Sequence, residues 1–383
     1  MRRVLMLTEE MIPSAILCAH APLTELARQG KLEYRWSRPG ALRRKDLSWA
    51  DTVVFLRADS RWEAALSGMA SDSGRDTIYV MDDDLLSVPR ELSSGAFYAR
   101  ESTRSSIRGT MRNCRCLLSP SEELLEKYGG GFARTGRIEE PALGGGERTR
   151  RNDGRVVIGF AGSIDRAGDI DQILEKALTG ILDKYGGRVS LEFFGARPAL
   201  ADRPGVRHIP YQAEYSRYQE TMASLRWDIA LAPMPDTPFH RCKHYNKFIE
   251  YAVYGIPGIY SDVIPYRRAV RHGENGLLTE NTTEAWMQAL ETLILDEPLR
   301  RRLAETAYKE ARSKYSLAAA AALWEQALAA GEIIPDDSAL SRYEPIRRRA
   351  LLAETAEKIR LYGWRAPGKA LKKFLGRRKG RPF

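Results

Sequence analysis

Lys243, His244, Lys247 and Glu250 crowd into one short stretch, with His240 and Arg241 just before them. Cations this close together can neutralise a phosphate or diphosphate, each lysine acting as a point charge. A glutamate beside them can accept the hydroxyls of a ribose or another sugar. Lysines are more often simply solvated, so their position decides. The run Ile229 to Ala232 is short and apolar and stops at Pro233 and Pro235, which reads as a strand. Phe248, Ile249, Ala252 and Val253 recur at the spacing of one buried helical stripe. Gly255 and Pro257 end that helix, the first as a left-handed cap and the second because it cannot continue the helix. Gly258 to Tyr260 then opens another strand. The cations therefore precede a helix N-terminus at a strand end, where the N–H groups and helix dipole favour an anion. In open parallel sheets ligands bind at that end of the strands. Glu250 is expected in the first turn of the helix.

Three further sets of residues could do chemistry. VVIGFAGS is an apolar strand feeding a turn at Gly162 and Ser163, and Arg166 is the nearest cation to it. Asp82, Asp83 and Asp84 follow the strand Thr77 to Val80 directly. Adjacent carboxylates repel one another, so the triplet reads either as a solvated turn or as a cluster with one member, Asp83, facing a cleft. The five histidines (His20, His208, His240, His244, His272) show no metal-ligand spacing. His20 and His208 read as satisfied side chains, whereas His240 and His244 sit beside the lysines. The four cysteines (Cys18, Cys114, Cys116, Cys242) lack the second close pair of a zinc site and read as reduced thiols of a cytosolic protein.

These residues need a scaffold. Apolar runs at Val4–Leu7, Leu32–Trp36, Asp51–Leu56, Thr77–Val80 and Cys116–Ser119 alternate with helical patterns. The same alternation resumes after VVIGFAGS, which argues for two doubly wound α/β domains. A chain of 383 residues also exceeds what one core usually supports. The expected division is 1–135, a linker rich in Gly and charge at 136–154, a second domain at 155–330 with helices to Ala330, and a helical tail at 331–383.

Charge is concentrated in that tail. Residues 344–383 hold thirteen Lys and Arg against three Glu, and so carry the whole net charge of +10. No apolar run is long enough to span a membrane. The N-terminal apolar run is too short for a signal peptide. Residues 367–383 pair Leu371, Phe374 and Leu375 with seven cations and no acid, which suits an anionic membrane surface. The alternative of a nucleic-acid partner lacks a stacking platform and is not expected.

EYAVYGIPGIYSDVIPY, followed by HGENGLL, resembles the donor-binding signature of family 4 retaining glycosyltransferases of the GT-B fold. GFAGSIDRAGDI, FFGARP and HIPYQAEY stand in that family's order before it, so the resemblance covers about residues 156 to 316. It implies two Rossmann-like domains facing a cleft, with a nucleotide-diphosphate sugar bound by the second, an acceptor by the first, and a last helix within 331–383 that crosses back onto the first. Glu250 would hold the ribose. Gly162, Ser163 and Arg166 would approach the diphosphate, and Gly195 and Tyr211 would lie near the base. Lys243 and Lys247, with His244 beside them, would stabilise the leaving group, and Tyr266 would pack after Pro265 or line the pocket. The family's sugar-contacting glutamate, eight positions before Glu250, falls here on Cys242.

The function implied is metal-independent transfer, with retention of configuration, to a glycan or lipid-linked acceptor in cell-envelope polysaccharide synthesis. No cofactor other than the donor is expected, and the basic tail would place a cytoplasmic protein on the inner face of the plasma membrane. Reading Asp82 to Asp84 as the Asp-x-Asp metal motif of GT-A transferases ranks last. A sugar-nucleotide binder without transfer, an epimerase, or a nucleic-acid binder acting through the tail are the alternatives.

Overall fold

A computed structural model of the protein describes residues 1–145 and 154–362. The proposed membrane segment 367–383 and part of the connection, 146–153, lie outside the described residues. The first unit contains β1 (Arg2–Leu7), β2 (Leu32–Ser37), β3 (Thr52–Leu56), β4 (Asp76–Val80), β5 (Cys116–Ser119) and β6 (Arg134–Arg137). The second contains β7 (Val156–Gly162), β8 (Val189–Gly195), β9 (Val206–Pro210), β10 (Ile229–Ala232), β11 (Gly258–Ser261) and β12 (Leu277–Thr279). Each sheet is parallel between every pair of neighbours. Their orders are β2-β1-β3-β4-β5-β6 and β12-β11-β10-β7-β8-β9.

The central strands β3, β4, β5 and β10 are buried along their length. Helices cover both faces, so these strands read as continuous apolar runs rather than as alternation. β6 and β12 were not expected. The first, Arg-Thr-Gly-Arg, is a polar, half-exposed edge strand, and the second is three residues long. Neither carries an apolar run that could announce it.

Ligands in such sheets sit where strand order reverses. In the second unit that point lies between β7 and β10, and Gly159 keeps it compact. A Cβ added there would lie 1.9 Å from the Trp227 ring, which is wholly buried beneath the strand.

The chain crosses between units twice. Residues 138–145 follow β6, and the Ala142 N–H donates to the Tyr315 carbonyl at 2.7 Å. After Tyr315 the chain returns. The helix Leu317–Ala329, expected to complete the second unit, packs against the first. Ala321, Trp324 and Leu328 join the core of Leu23 and Leu26, and Trp324 Nε1 donates to the Cys18 carbonyl at 2.8 Å. The helix Tyr343–Tyr362 follows on the same unit, with Tyr343 edge-on to Trp62 at 5.5 Å. That is the crossover onto the first unit that the GT-B resemblance implies for the last helix.

Candidate active site

A cavity of about 520 Å³ opens between the two units at the C-terminal ends of their strands. Gly162, Ser163, Arg166, Gly195, Tyr211, Lys243, His244, Lys247, Glu250, Tyr266 and Asp83, all singled out from sequence, line it. Residues more than a hundred positions apart therefore share one space.

The second unit builds one wall from two glycine turns. Gly162 and Gly195 are register partners at the ends of β7 and β8. Gly195 has φ +87°, and a Cβ there would lie 2.1 Å from the Gly162 carbonyl oxygen, so only glycine fits. The short turn at Ser163 leads into the helix Ala167–Tyr185. Beside it Arg166 pairs with Asp169 at 2.9 Å and donates to the Pro233 carbonyl at 2.5 Å. Aromatic rings continue the wall. Tyr218 stacks on Phe194 at 4.8 Å and on Tyr215 at 6.1 Å, and Tyr211 stands 47% exposed at the edge. Tyr215 and Tyr218 are one helical turn apart on Tyr215–Ser224, a spacing that the sequence itself carries.

The helix Asn246–Val253 buries Phe248, Ile249, Ala252 and Val253 as its periodicity requires, and Tyr251 with them. Gly255 follows with φ +65°. Glu250 lies in the second turn of this helix, not the first, because the helix begins at Asn246. There it pairs with Lys247, one turn away. The residues before the helix are not a plain loop. Thr237 caps a short helical turn, Pro238–Arg241, by accepting the His240 N–H, and its hydroxyl meets His240 Nδ1 at 2.8 Å. Burial, and then the nearby Lys243 and Arg166, lower His240 to about 4. At neutral pH it is an uncharged imidazole on the cavity wall.

The first unit supplies the facing wall, and its carboxylates differ from expectation. The Asp triplet does not form a repelling cluster, because each member has a close cationic partner, and Arg57 also stands 3.8 Å from Asp83. Asp82 accepts from Arg57 Nε and Nη2 at 2.7 and 2.8 Å. Asp83 meets Lys243 of the other unit at 2.9 Å. Asp84 accepts from Lys127 at 2.6 Å and from the Tyr128 hydroxyl at 2.7 Å. Burial alone would raise the Asp82 carboxyl, but the Arg57 charge and hydrogen bonds outweigh it and hold it low. Three side chains turned to three partners offer no shared metal position. Among the described residues no group of three or more His, Cys, Asp and Glu could hold a metal ion.

Arg57 was not anticipated. It has φ +51°, a left-handed backbone costly for an arginine, and its side chain lines the cavity. Its position immediately after β3 was the only signal available.

His244 was expected among the ligand-facing groups. Its side chain is only 3% exposed, and it pairs with Glu139 at 2.7 Å and more loosely with Glu140 at 3.6 Å. Burial opposes its charge, but the two carboxylates, Glu139 foremost, raise it to about 9. The imidazolium thus ties the second unit to the crossing segment. Glu139 also accepts from the Tyr245 hydroxyl at 2.8 Å. His20 is elsewhere, with Nδ1 at 2.9 Å from the Tyr34 hydroxyl. Cys242 belongs to the core of the first unit, and burial, reinforced by Asp84, pushes its thiol to about 11. Tyr266 is buried against Tyr260 at 5.1 Å while lining the cavity, so packing and lining are both its position.

Lys243 and Lys247 are therefore both engaged by carboxylates, partners that the sequence reading did not name. Their side chains are 23% and 21% exposed, and ion pairs open to solvent exchange partners cheaply.

Comparisons agree with this architecture. Residues 247–310 match the family described as glycosyl transferases group 1. No curated protein matches the sequence. Anabaena HepE, solved in complex with UDP and glucose, aligns with TM-score 0.60 at 14% identity, covering 86% of this chain and 100% of that one. Sucrose-phosphate synthase from Thermosynechococcus elongatus gives 0.59 at 12% identity, with the same coverages. A putative UDP-N-acetylglucosamine 2-epimerase from Listeria monocytogenes gives 0.54 at 12%, covering 86% and 95%. At such identities the likeness concerns the fold. The protein is thus a two-domain α/β chain of the GT-B fold, and its residues 247–310 match the model of the glycosyl transferases group 1.

Proposed function

We propose that the protein moves a sugar from a nucleoside-diphosphate donor to an acceptor hydroxyl in the cavity between its two units. The observation that carries this reading is the facing arrangement of the Gly162–Gly195 turns and the Lys247–Glu250 helix at strand ends of one sheet. Main-chain N–H groups at the turn, with Lys243 and Lys247, stabilise the departing diphosphate, and preorganised charges of this kind are a large catalytic term. Glu250 holds the ribose, and the rings of Tyr211, Tyr215 and Tyr218 flank the base. When the donor arrives, Lys243 exchanges Asp83 for phosphate, and Asp83 is left to accept a hydrogen bond from the acceptor hydroxyl. The cleft excludes water that would otherwise hydrolyse the activated sugar. The lysines serve where a metal would otherwise be needed, no cofactor beyond the donor is required, and transfer retains configuration.

The acceptor is lipid-linked or a glycan of the cell envelope. Ile12, Leu17, Leu85, Val88 and Leu92 make much of the first unit's wall apolar, which favours a lipid-linked acceptor. The cations of residues 367–383 support work at an anionic membrane surface, from the cytoplasmic side. No described helix is long and apolar enough to cross a membrane.

One observation favours a second reading. Cys242, which stands at the position of the family's sugar-contacting glutamate, packs in the first unit's core, so donor chemistry without transfer, as in an epimerase, is the alternative. Thermal-shift binding across UDP, GDP, ADP and CDP, with and without EDTA, tests the donor site. Binding of one nucleotide, unaffected by EDTA and weakened in Lys247→Ala, is expected. No binding by any of them would end the reading. Product analysis with the matching sugar nucleotide then separates transfer, which releases free nucleoside diphosphate, from epimerisation, which does not consume it.

A further inference from the structure

Glu140 lies on the crossing segment that floors the cavity, 5% exposed, between Cys18 of the first unit and His244 of the second. The other carboxylates lining this cavity are well supplied with donors. Asp82 has Arg57, Asp83 has Lys243, Asp169 has Arg166, Glu250 has Lys247, and Asp165 accepts from the Ser93 hydroxyl at 2.7 Å. Glu140 is not. Among the described residues its Oε1 receives only the Cys18 thiol at 3.4 Å, a weak donor, and its buried Oε2 makes no hydrogen bond. The imidazolium of His244 stands 3.6 Å from Oε2 and gives its close contact to Glu139 instead. A buried carboxylate short of donors is costly to the fold and rarely left so without a role.

The cavity is where donors can come from. A carboxylate there repels phosphate, so the diphosphate belongs nearer the Gly162 turn and the lysines. What a carboxylate with spare lone pairs attracts is a polyol. The part of a sugar nucleotide that must lie at the seam between the units is the sugar being transferred. We infer that Glu140 accepts hydrogen bonds from hydroxyls of that sugar through Oε1, and so helps decide which sugar is taken. The inference rests on the donor-site reading above and assigns a sugar-selecting residue to it.

Titration calorimetry with UDP, UDP-glucose and UDP-galactose, or the same set on whichever base the protein binds, tests it in wild type and Glu140→Gln. The expected result is a loss of about tenfold in affinity for the preferred sugar nucleotide, the size of one hydrogen bond to a charged group. Affinity for the bare nucleoside diphosphate should stay within about twofold, and the ratio between the two epimers should shrink. Cys18→Ser keeps the shape of the site and gives Oε1 a stronger internal donor. It should weaken the sugar nucleotide severalfold and again spare the diphosphate, even if Glu140→Gln folds poorly. An unchanged ratio of sugar-nucleotide to diphosphate affinity in both variants overturns the inference while leaving the donor site intact. Absence of any nucleotide binding by the wild type removes the donor site, and this assignment with it.

Discussion

The two sheets have the same number of strands and the same parallel pairing, but they finish their strands differently. The first ends β3 and β4 in charges that satisfy one another inside the unit, Arg57 with Asp82 and Lys127 with Asp84. The second ends β7 and β8 in glycines and pairs its lysines with the half-buried carboxylates Asp83 and Glu250, each 18% exposed, whereas Asp82 and Asp84 are buried. Paired and buried charge makes a fixed wall. Glycine turns and exchangeable lysines make a wall that a ligand can enter. The difference is one of division of labour within a common architecture. A ligand phosphate can compete for Lys243 and Lys247, whereas extracting Arg57 from its bidentate contact would leave Asp82 buried without compensation.

Breaking the fixed wall should have the largest effect. Arg57→Ala is expected to destabilise the protein by about 3–5 kcal/mol in denaturant unfolding, the cost of leaving one member of a buried pair alone. Its nucleotide affinity, measured at a temperature where it remains folded, should hardly change. A large loss of binding at full stability would blur the distinction between the walls. Gly195→Ala probes the other side. The left-handed backbone and the contact with the Gly162 carbonyl oxygen predict a loss of about 1–3 kcal/mol together with strongly weakened nucleotide binding. Unimpaired binding would mean that the turn does not form the phosphate wall.

The seam between the sheets should respond to pH. His244, raised to about 9 in the folded state from an ordinary 6.5, contributes stability that is complete below the unfolded value and lost as pH rises through about 9. For Glu139, burial opposes the charge, but His244 and its other partners win and hold it below its ordinary 4.5. Its contribution is present above that value and lost in acid. The melting temperature should therefore fall between pH 7 and 10 more steeply in wild type than in His244→Gln. Parallel profiles would show that the pair does not hold the units together.

Smaller effects should follow at the exchangeable lysines. Lys247→Ala is expected to weaken nucleoside-diphosphate binding about tenfold by calorimetry, with little change in stability. Asp83→Asn releases Lys243 and should tighten the same binding about two- to threefold, the scale of a partly exposed ion pair. A weakening would show that Asp83 and Lys243 act together on the ligand and do not compete.

The contrast between the walls also explains what could be read in the sequence. β3, β4, β5 and β10 announce themselves because strands buried on both faces must be apolar throughout. The helix Asn246–Val253 is legible from its stripe and its glycine stop. β6 and β12 are not, since an edge strand needs no apolar pattern. The lysines and the glycine turns could be named as candidates because their residue types carry chemistry wherever they lie. Their partners could not. Nothing near Asp83 in the chain points to Lys243, and nothing near His244 points to Glu139.

By itself the sequence determined the α/β alternation, the two units and a set of polar and glycine residues that share the cavity wall. Those follow from local periodicity, turn chemistry and residue type, which are properties of neighbouring positions. Only the tertiary structure decided which charges are spent on each other, that the helix Leu317–Ala329 returns to the first unit, and that Glu140 stands under-satisfied at the seam. These are long-range pairings, set by how two sheets and a crossing segment pack, and burial fixes their energetics in a way that no local pattern encodes.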